Sequence, residues 1–270
     1  MLSVIAITLY LACTVLLLYR LVNRDSNNPA PFYAGKPFIL TLGLIAVALH
    51  TLTLTHTLYT PNGLNLSITS VMSLTTWLIT ALLLLVAVTT PVEMLGIIIL
   101  PSTALALGID SYFPSGPMIL NQIDRGLETH ILISIIAYSV LSIAAIQAIL
   151  LAIQDHHLRH KQPGGFIRSL PPLQTMETLL FRAITLGFIL DSIALLTGAL
   201  FLEDIFAQHL VHKTVLSIVA WLVFATLLWG RHFHGWRGQT AIRWTLSGFV
   251  LLFLAYFGSK FVLEVLIQKQ

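Results

Sequence analysis

The sequence predicts an all-α fold, one polytopic membrane bundle of about eight transmembrane helices, and three observations carry that prediction. Of 270 residues, 57% are hydrophobic and 9% charged, against about 25% charged in an average soluble domain. A water-soluble fold of this size could not cover its surface with so few polar groups. The apolar residues also fall into blocks of roughly 18 to 27, the length a helix needs to cross about 30 Å of hydrocarbon. An open sheet would leave unpaired backbone groups facing lipid, so the blocks are helices.

The first block, about residues 2–19, has no basic n-region and runs directly into Tyr19-Arg20. It therefore reads as a retained span, not a cleaved signal peptide. The second and third spans lie at about 38–58 and 68–89. Only Thr89-Thr90-Pro91 separates the third from the fourth, about 92–109, which makes them a tight pair. The remaining spans fall at about 129–153, 177–202, 207–229 and 244–266. The longest connections, about 20–36, 110–128 and 154–176, are rich in Pro, Gly, Asn and charge and are too short for a soluble domain. No internal repeat of the inverted-repeat transporter kind is visible, and residues 1–270 read as a single transmembrane domain.

The net charge of +3 and pI near 9.1 do not point to nucleic acid, because the basic residues sit between spans instead of on one basic face. Assigning the loops alternately to two sides groups Arg20, Arg24, Lys36, Arg159, Lys161, Arg168, Arg231, Arg237 and Arg243. The opposite loops carry Asp110, Asp124, Glu128, Glu203 and Asp204 against Arg125 alone. By the positive-inside rule the first set is cytoplasmic, which places both termini outside a plasma (inner) membrane. Membrane lipid is the expected partner of every span. The one cysteine, Cys13, lies inside the first span, so neither a disulfide framework nor a CxxC redox pair can form within the chain.

Ten histidines in a chain with so few charges are its most informative chemical feature, because imidazole ligates haem iron and transition metals. His50, His56, His130, His209 and His212 map to the outer half or outer ends of helices two, five and seven. His50 lies inside the membrane, where ionisable groups are rare and usually functional, although a hydrogen bond to a neighbouring helix would also account for it. His56 and His209 fall at the water boundary. His130 opens helix five, with Ser134 and Tyr138 at i+4 and i+8, so a polar stripe descends from it into the span. Interhelical hydrogen bonding is the alternative use of such a stripe. The run Asp155-His156-His157-Leu158-Arg159-His160-Lys161 resembles a metal tract, but without thiolates or a second ligand cluster it reads as a headgroup-facing loop with no site. Asp191, inside helix six, requires a buried partner or a neutral acid form, whereas Lys213 and Lys260 near helix ends can snorkel. Trp221, Trp229, Trp236 and Trp244 read mostly as interfacial belt residues. No phosphate loop, nucleophile elbow, HExxH helix or tandem CxxC occurs, so the chain is not expected to be an enzyme.

Three segments carry a family resemblance. They are His130-Ile131-Leu132-Ile133-Ser134-Ile135-Ile136-Ala137-Tyr138; Thr197-Gly198-Ala199-Leu200 leading to Lys213-Thr214 and Trp221; and Gly235-Trp236-Arg237-Gly238 followed by Leu254-Ala255-Tyr256-Phe257-Gly258-Ser259. The chain resembles the cytochrome c assembly superfamily of haem-handling membrane proteins (CcsA, CcmC and HemX), in particular its small eight-span YpjD branch, most strongly over about 129–262. In that family, external histidines flank a tryptophan-rich loop and ligate haem, while others hold haem within the bundle. The resemblance puts His130 at the first external ligand and His50 at an intramembrane ligand. The chain departs from the pattern in the stretch Phe201 to His212, which contains no tryptophan, and after Gly258, where no histidine follows; Trp229 takes the place of the second intramembrane histidine. His209 and His212 supply imidazoles in the tryptophan-free stretch. Two neutral imidazoles suffice for a six-coordinate haem b, so the resemblance implies haem iron held by His130 with His50 or His212 opposite.

The function this implies is accessory: haem binding in cytochrome c maturation or haem handling, with cytochrome c maturation or haem-biosynthesis proteins as partners. A HemX-like regulator of haem biosynthesis acting through a protein partner is one alternative. The other is a small-solute or ion transporter using His50 and Asp191.

Overall fold

The computed structural model describes residues 1–23, 31–61, 63–115, 119–120, 125–160, 170–201 and 211–258. The long helices are α1 (Leu2–Val22), α2 (Lys36–Leu58), α3 (Ile68–Thr89), α4 (Gly96–Tyr112) and α5 (Arg125–Arg159). They are followed by α6 (Leu173–Phe201), α7 (Val211–His234) and α8 (Gln239–Phe253), the last continued by a π-helical turn, Leu254–Gly258. The protein is thus a polytopic α-helical membrane protein, and among the described residues eight helices are long and apolar enough to cross a bilayer.

Helix ends differ from the expected spans where polar residues continue a helix past the hydrocarbon. α5 runs for 35 residues, about 52 Å, so Gln154, Asp155, His156 and His157 are helical, not loop, residues. α4 continues to Tyr112 and takes Asp110 into its last turn, buried at 4% exposure. Asp110 is therefore not the exposed loop acid expected; it accepts a hydrogen bond from Ser70 Oγ at 3.0 Å. α8 begins at Gln239, several residues early, behind Gly235 and Gly238, both at positive φ, where glycine carries no Cβ penalty.

The chain divides into two compact units, residues 1–121 with 157–172, and residues 122–156 with 173–270. In the first unit α1 packs on α2 and α4, and α3 packs on the same two helices, closing a ring of four. The α1 residues Ala6, Tyr10, Cys13 and Leu17 recur at helical spacing on one buried face. They meet Ile39 and Ala46 of α2 and Leu100, Ala104 and Leu107 of α4. Glycine lets backbones approach: a Cβ on Gly43 would lie 3.1 Å from Leu84, and one on Gly96 would lie 2.9 Å from Leu17. One end of the ring is tied by Glu93, whose carboxylate meets Arg20 at 3.5 Å and Lys36 at 3.4 Å. The basic end of this unit therefore carries a half-buried acid that the loop charges do not reveal. At the opposite end a small antiparallel sheet, order β1-β2-β3, joins Tyr59–Thr60, Gly63–Asn65 and Ile119–Leu120. In the sequence, Asn62-Gly63 carries a turn signature next to the second of these strands.

The second unit contains α6, α7 and α8 in sequential contact. Its fourth member, α5, touches α6 where His130 meets Ala194 and Gln147 meets Met176. It touches α8 where Tyr138 meets Phe249 and Asp155 meets Gln239. These pairings make α5 antiparallel to both neighbours. α6 and α7 are antiparallel as well, since Trp221 stacks on Phe188 and Arg231 lies over Phe181.

Candidate functional site

His130 is half-buried near the start of α5. Its Nδ1 lies 2.9 Å from the Ala194 carbonyl oxygen and 3.3 Å from Thr197 Oγ1. A carbonyl can only accept, so Nδ1 carries the proton and donates it. That assignment leaves the Nε2 lone pair free, and among the described residues no partner takes it. The ring is seated on Gly198, where an added Cβ would stand 3.0 Å from Cε1 and 3.3 Å from Nδ1. The short run Ala194, Thr197, Gly198 on α6 thus supplies the acceptor, a flanking hydroxyl and the space for the imidazole. An imidazole anchored through Nδ1–H on a backbone carbonyl, with Nε2 presented, is the usual arrangement of a metal-ligating histidine.

His212 is exposed on the first turn of α7. Trp221, nine residues on, donates Nε1–H to Ser192 Oγ at 2.8 Å. From that level His212 lies about 13 Å towards the α7 N-terminus, so it shares with His130 the end of the unit marked by the α6 C-terminus. His209 lies outside the described residues.

His50 is wholly buried in the first unit, with 0% exposure. Tyr10 OH is 3.3 Å from Nδ1 and Ser73 Oγ 3.0 Å from Nε2. Both ring nitrogens are engaged, and three helices, α1, α2 and α3, are tied together through one side chain. Tyr10 and Ser73 are partners of His50 that sequence reasoning did not find. They lie 40 and 23 residues from His50, and no spacing rule links residues on three different helices.

The other singled-out residues fall as follows. Asp191 is 5% exposed and its Oδ2 has no hydrogen-bond partner among the described residues, so the expected buried partner is not found there. It shares the inward face of α6 with Ala194 and Gly198. Tyr138 leads the α5 stripe into an aromatic cluster with Phe249, Tyr256 and Phe257, at centroid distances of 5.6, 6.2 and 5.5 Å. Lys213 Nζ stands over the Tyr256 ring at 5.9 Å. Trp221 is a tie between α6 and α7, not a belt residue, because its ring stacks on Phe188 at 5.3 Å. Trp236 packs on Gly230 and on Trp244 at the opposite end of the unit. His56, His156 and His160 are exposed. No group of three or more His, Cys, Asp or Glu side chains able to hold a metal ion occurs among the described residues.

The family model described as "Cytochrome C assembly protein" matches residues 38–267, from α2 to beyond the described end of α8. The chain belongs to the cytochrome c assembly protein family. Among its relatives, the inner membrane protein YpjD of Escherichia coli is 33% identical over 205 residues, 76% of this chain and 78% of that protein. The cytochrome c biogenesis protein CcsA of Chlamydomonas reinhardtii is 28% identical over 182 residues, covering 64% of this chain and 50% of its own length. A CcsA of Microcystis aeruginosa is 31% identical over 87 residues, 32% of this chain and 26% of that protein. No solved structure matches the chain. His50, His130 and His212 all fall within the family match, whereas α1, with Tyr10, precedes it.

Proposed function

We propose that this protein is a haem-binding accessory factor of cytochrome c maturation or haem handling, without a catalytic reaction of its own. Its iron ligands in this reading are His130 and an imidazole from the α7 start, His212 or neighbouring His209. The observation that carries it is the His130 geometry: Nδ1–H held by the Ala194 carbonyl, Nε2 presented, and the ring placed over Gly198. His212 supports it by lying at the same end of the second unit. His50 fits the part of a structural tie better, because both of its nitrogens already hold hydrogen bonds. A haem b held there would supply a redox-active iron whose spectrum and potential report its axial ligands. Family membership and the CcsA relatives, described as cytochrome c biogenesis proteins, support a role in cytochrome c maturation.

The same reading puts the protein in an inner (plasma) membrane, with the Arg20, Arg159 and Arg231 ends cytoplasmic and the His130 end external. The test is a haemin titration of the detergent-purified chain with optical spectra of both oxidation states. Wild type gains a Soret band. His130→Ala loses occupancy or changes the reduced spectrum, added imidazole restores it in His130→Gly, and the triple replacement of His156, His157 and His160 leaves it unchanged. A protein that takes up no haemin sinks the reading. A spectrum altered only by the triple replacement puts the ligands at the other end.

A further inference from the structure

At the other end of α6 an open groove of about 440 Å³ is lined by Thr178, Phe181, Arg182, Thr185, Leu186, Ile189 and, from α7, Arg231. Among the described residues its charge is not balanced. Glu177 accepts from Arg231 Nη1 at 3.3 Å and also faces Arg237 Nε at 3.9 Å, so this one carboxylate already serves two guanidiniums. Arg182 is exposed, and no carboxylate or hydrogen-bond acceptor among the described residues meets it. The level of the two groove arginines is set independently by their helices. From Ala183 to Phe201 α6 is 19 residues and from Val211 to Gly230 α7 is 20 residues without a break, about 28 and 30 Å, nearly the full hydrocarbon thickness. Arg182 and Arg231 therefore both stand at the hydrocarbon boundary. On the same strip of α6, Leu186 and Ile189 continue from Arg182 towards the bilayer interior.

We propose that this groove binds the headgroup of an anionic phospholipid of the phosphatidylglycerol class. The phosphate lies between the guanidiniums of Arg182 and Arg231, and an acyl chain runs along Leu186 and Ile189. Guanidinium matches phosphate in planar, charge-assisted hydrogen bonds. The hydroxyls of Thr178 and Thr185 donate to Gln174 O and Phe181 O at 2.9 and 2.8 Å. They therefore offer only lone pairs to the groove, which suits a headgroup carrying hydroxyl donors. Arg231 is held in place by Glu177, by the Trp236 carbonyl at 3.1 Å and by the Phe181 ring at 4.4 Å. Arg182 supplies a charge that no acid among the described residues compensates. This site is separate from the proposed haem ligands and does not depend on them.

A basic residue at a membrane surface is worth about 1 kcal/mol towards an anionic lipid, or about fivefold in affinity. Native mass spectrometry of the full chain, equilibrated with equal phosphatidylglycerol and phosphatidylcholine, reads that preference as retained adducts. Wild type favours phosphatidylglycerol by about fivefold; Arg182→Gln falls to parity, Arg182→Lys keeps the preference, and Arg243→Gln, outside the groove, keeps it too. Unchanged preference in a monodisperse, helical Arg182→Gln protein overturns the proposal. So does release of the bound lipid by millimolar inorganic phosphate, which would make the groove a free-anion site. Release by haemin instead would assign it to the propionates of a tetrapyrrole, and would equally overturn it.

Discussion

Gly198→Ala tests whether the α6 backbone seats the His130 imidazole. The added Cβ would stand 3.0 Å from His130 Cε1 and 3.3 Å from Nδ1, where carbon contacts relax at about 3.5–4.0 Å. The ring must retreat by about half an ångström. Its hydrogen-bond acceptor, Ala194 O, lies on the same helix as the new methyl group, so the retreat stretches the 2.9 Å bond beyond the ordinary N–H···O range of about 2.7–3.2 Å. Losing that bond costs about 1 kcal/mol, which lowers haemin affinity about fivefold. Helix propensity favours alanine over glycine by about 1 kcal/mol, so global stability stays near wild type and the loss is local. The assay is haemin titration at the Soret maximum alongside thermal melting, with Gly108→Ala as control, since a Cβ there meets only Ile7 at an ordinary 3.8 Å. If Gly198→Ala binds haemin with wild-type affinity while His130→Ala does not, the glycine does not position the ring and this reasoning fails.

Replacing His50 by Leu leaves Tyr10 OH and Ser73 Oγ without their shared partner in a buried bundle. It should cost about 2–4 kcal/mol of stability, read as a lower melting temperature with haemin affinity unchanged; a loss of haemin binding at full stability would restore His50 as a ligand. Glu177→Gln removes the counter-charge from Arg231, whose side chain is 37% exposed. The loss should therefore be about 1–2 kcal/mol, below that of a fully buried pair, and a melting temperature equal to wild type would show the pair to be idle. For topology, cysteines introduced at Asn23 and Tyr59 on a Cys13→Ala background should react differently with an impermeant thiol reagent in intact cells. Tyr59→Cys labels and Asn23→Cys does not; the reverse pattern inverts the orientation.

The number, order and approximate limits of the helices were legible in the sequence, because crossing a bilayer is a one-dimensional demand on length and polarity. Helix ends were less legible, since a helix such as α5 can continue into polar residues once it has left the hydrocarbon. The small sheet was missed as well, although Asn62-Gly63 carries a turn signature. Two- and three-residue strands have no periodicity to detect.

The chain itself determined the class of protein, its family and the candidate imidazoles, because these depend on composition, spacing and resemblance along one dimension. Only the tertiary structure decided what each imidazole is free to do. His50 and His130 are both histidines in the outer half of a span by sequence, yet one has both nitrogens engaged by Tyr10 and Ser73, while the other gives a single proton to a backbone carbonyl 64 residues away. Every residue has a carbonyl, so no side-chain pattern marks the one at Ala194. The antiparallel packing of α5 on α6, with Gly198 bare beneath the ring, selects it.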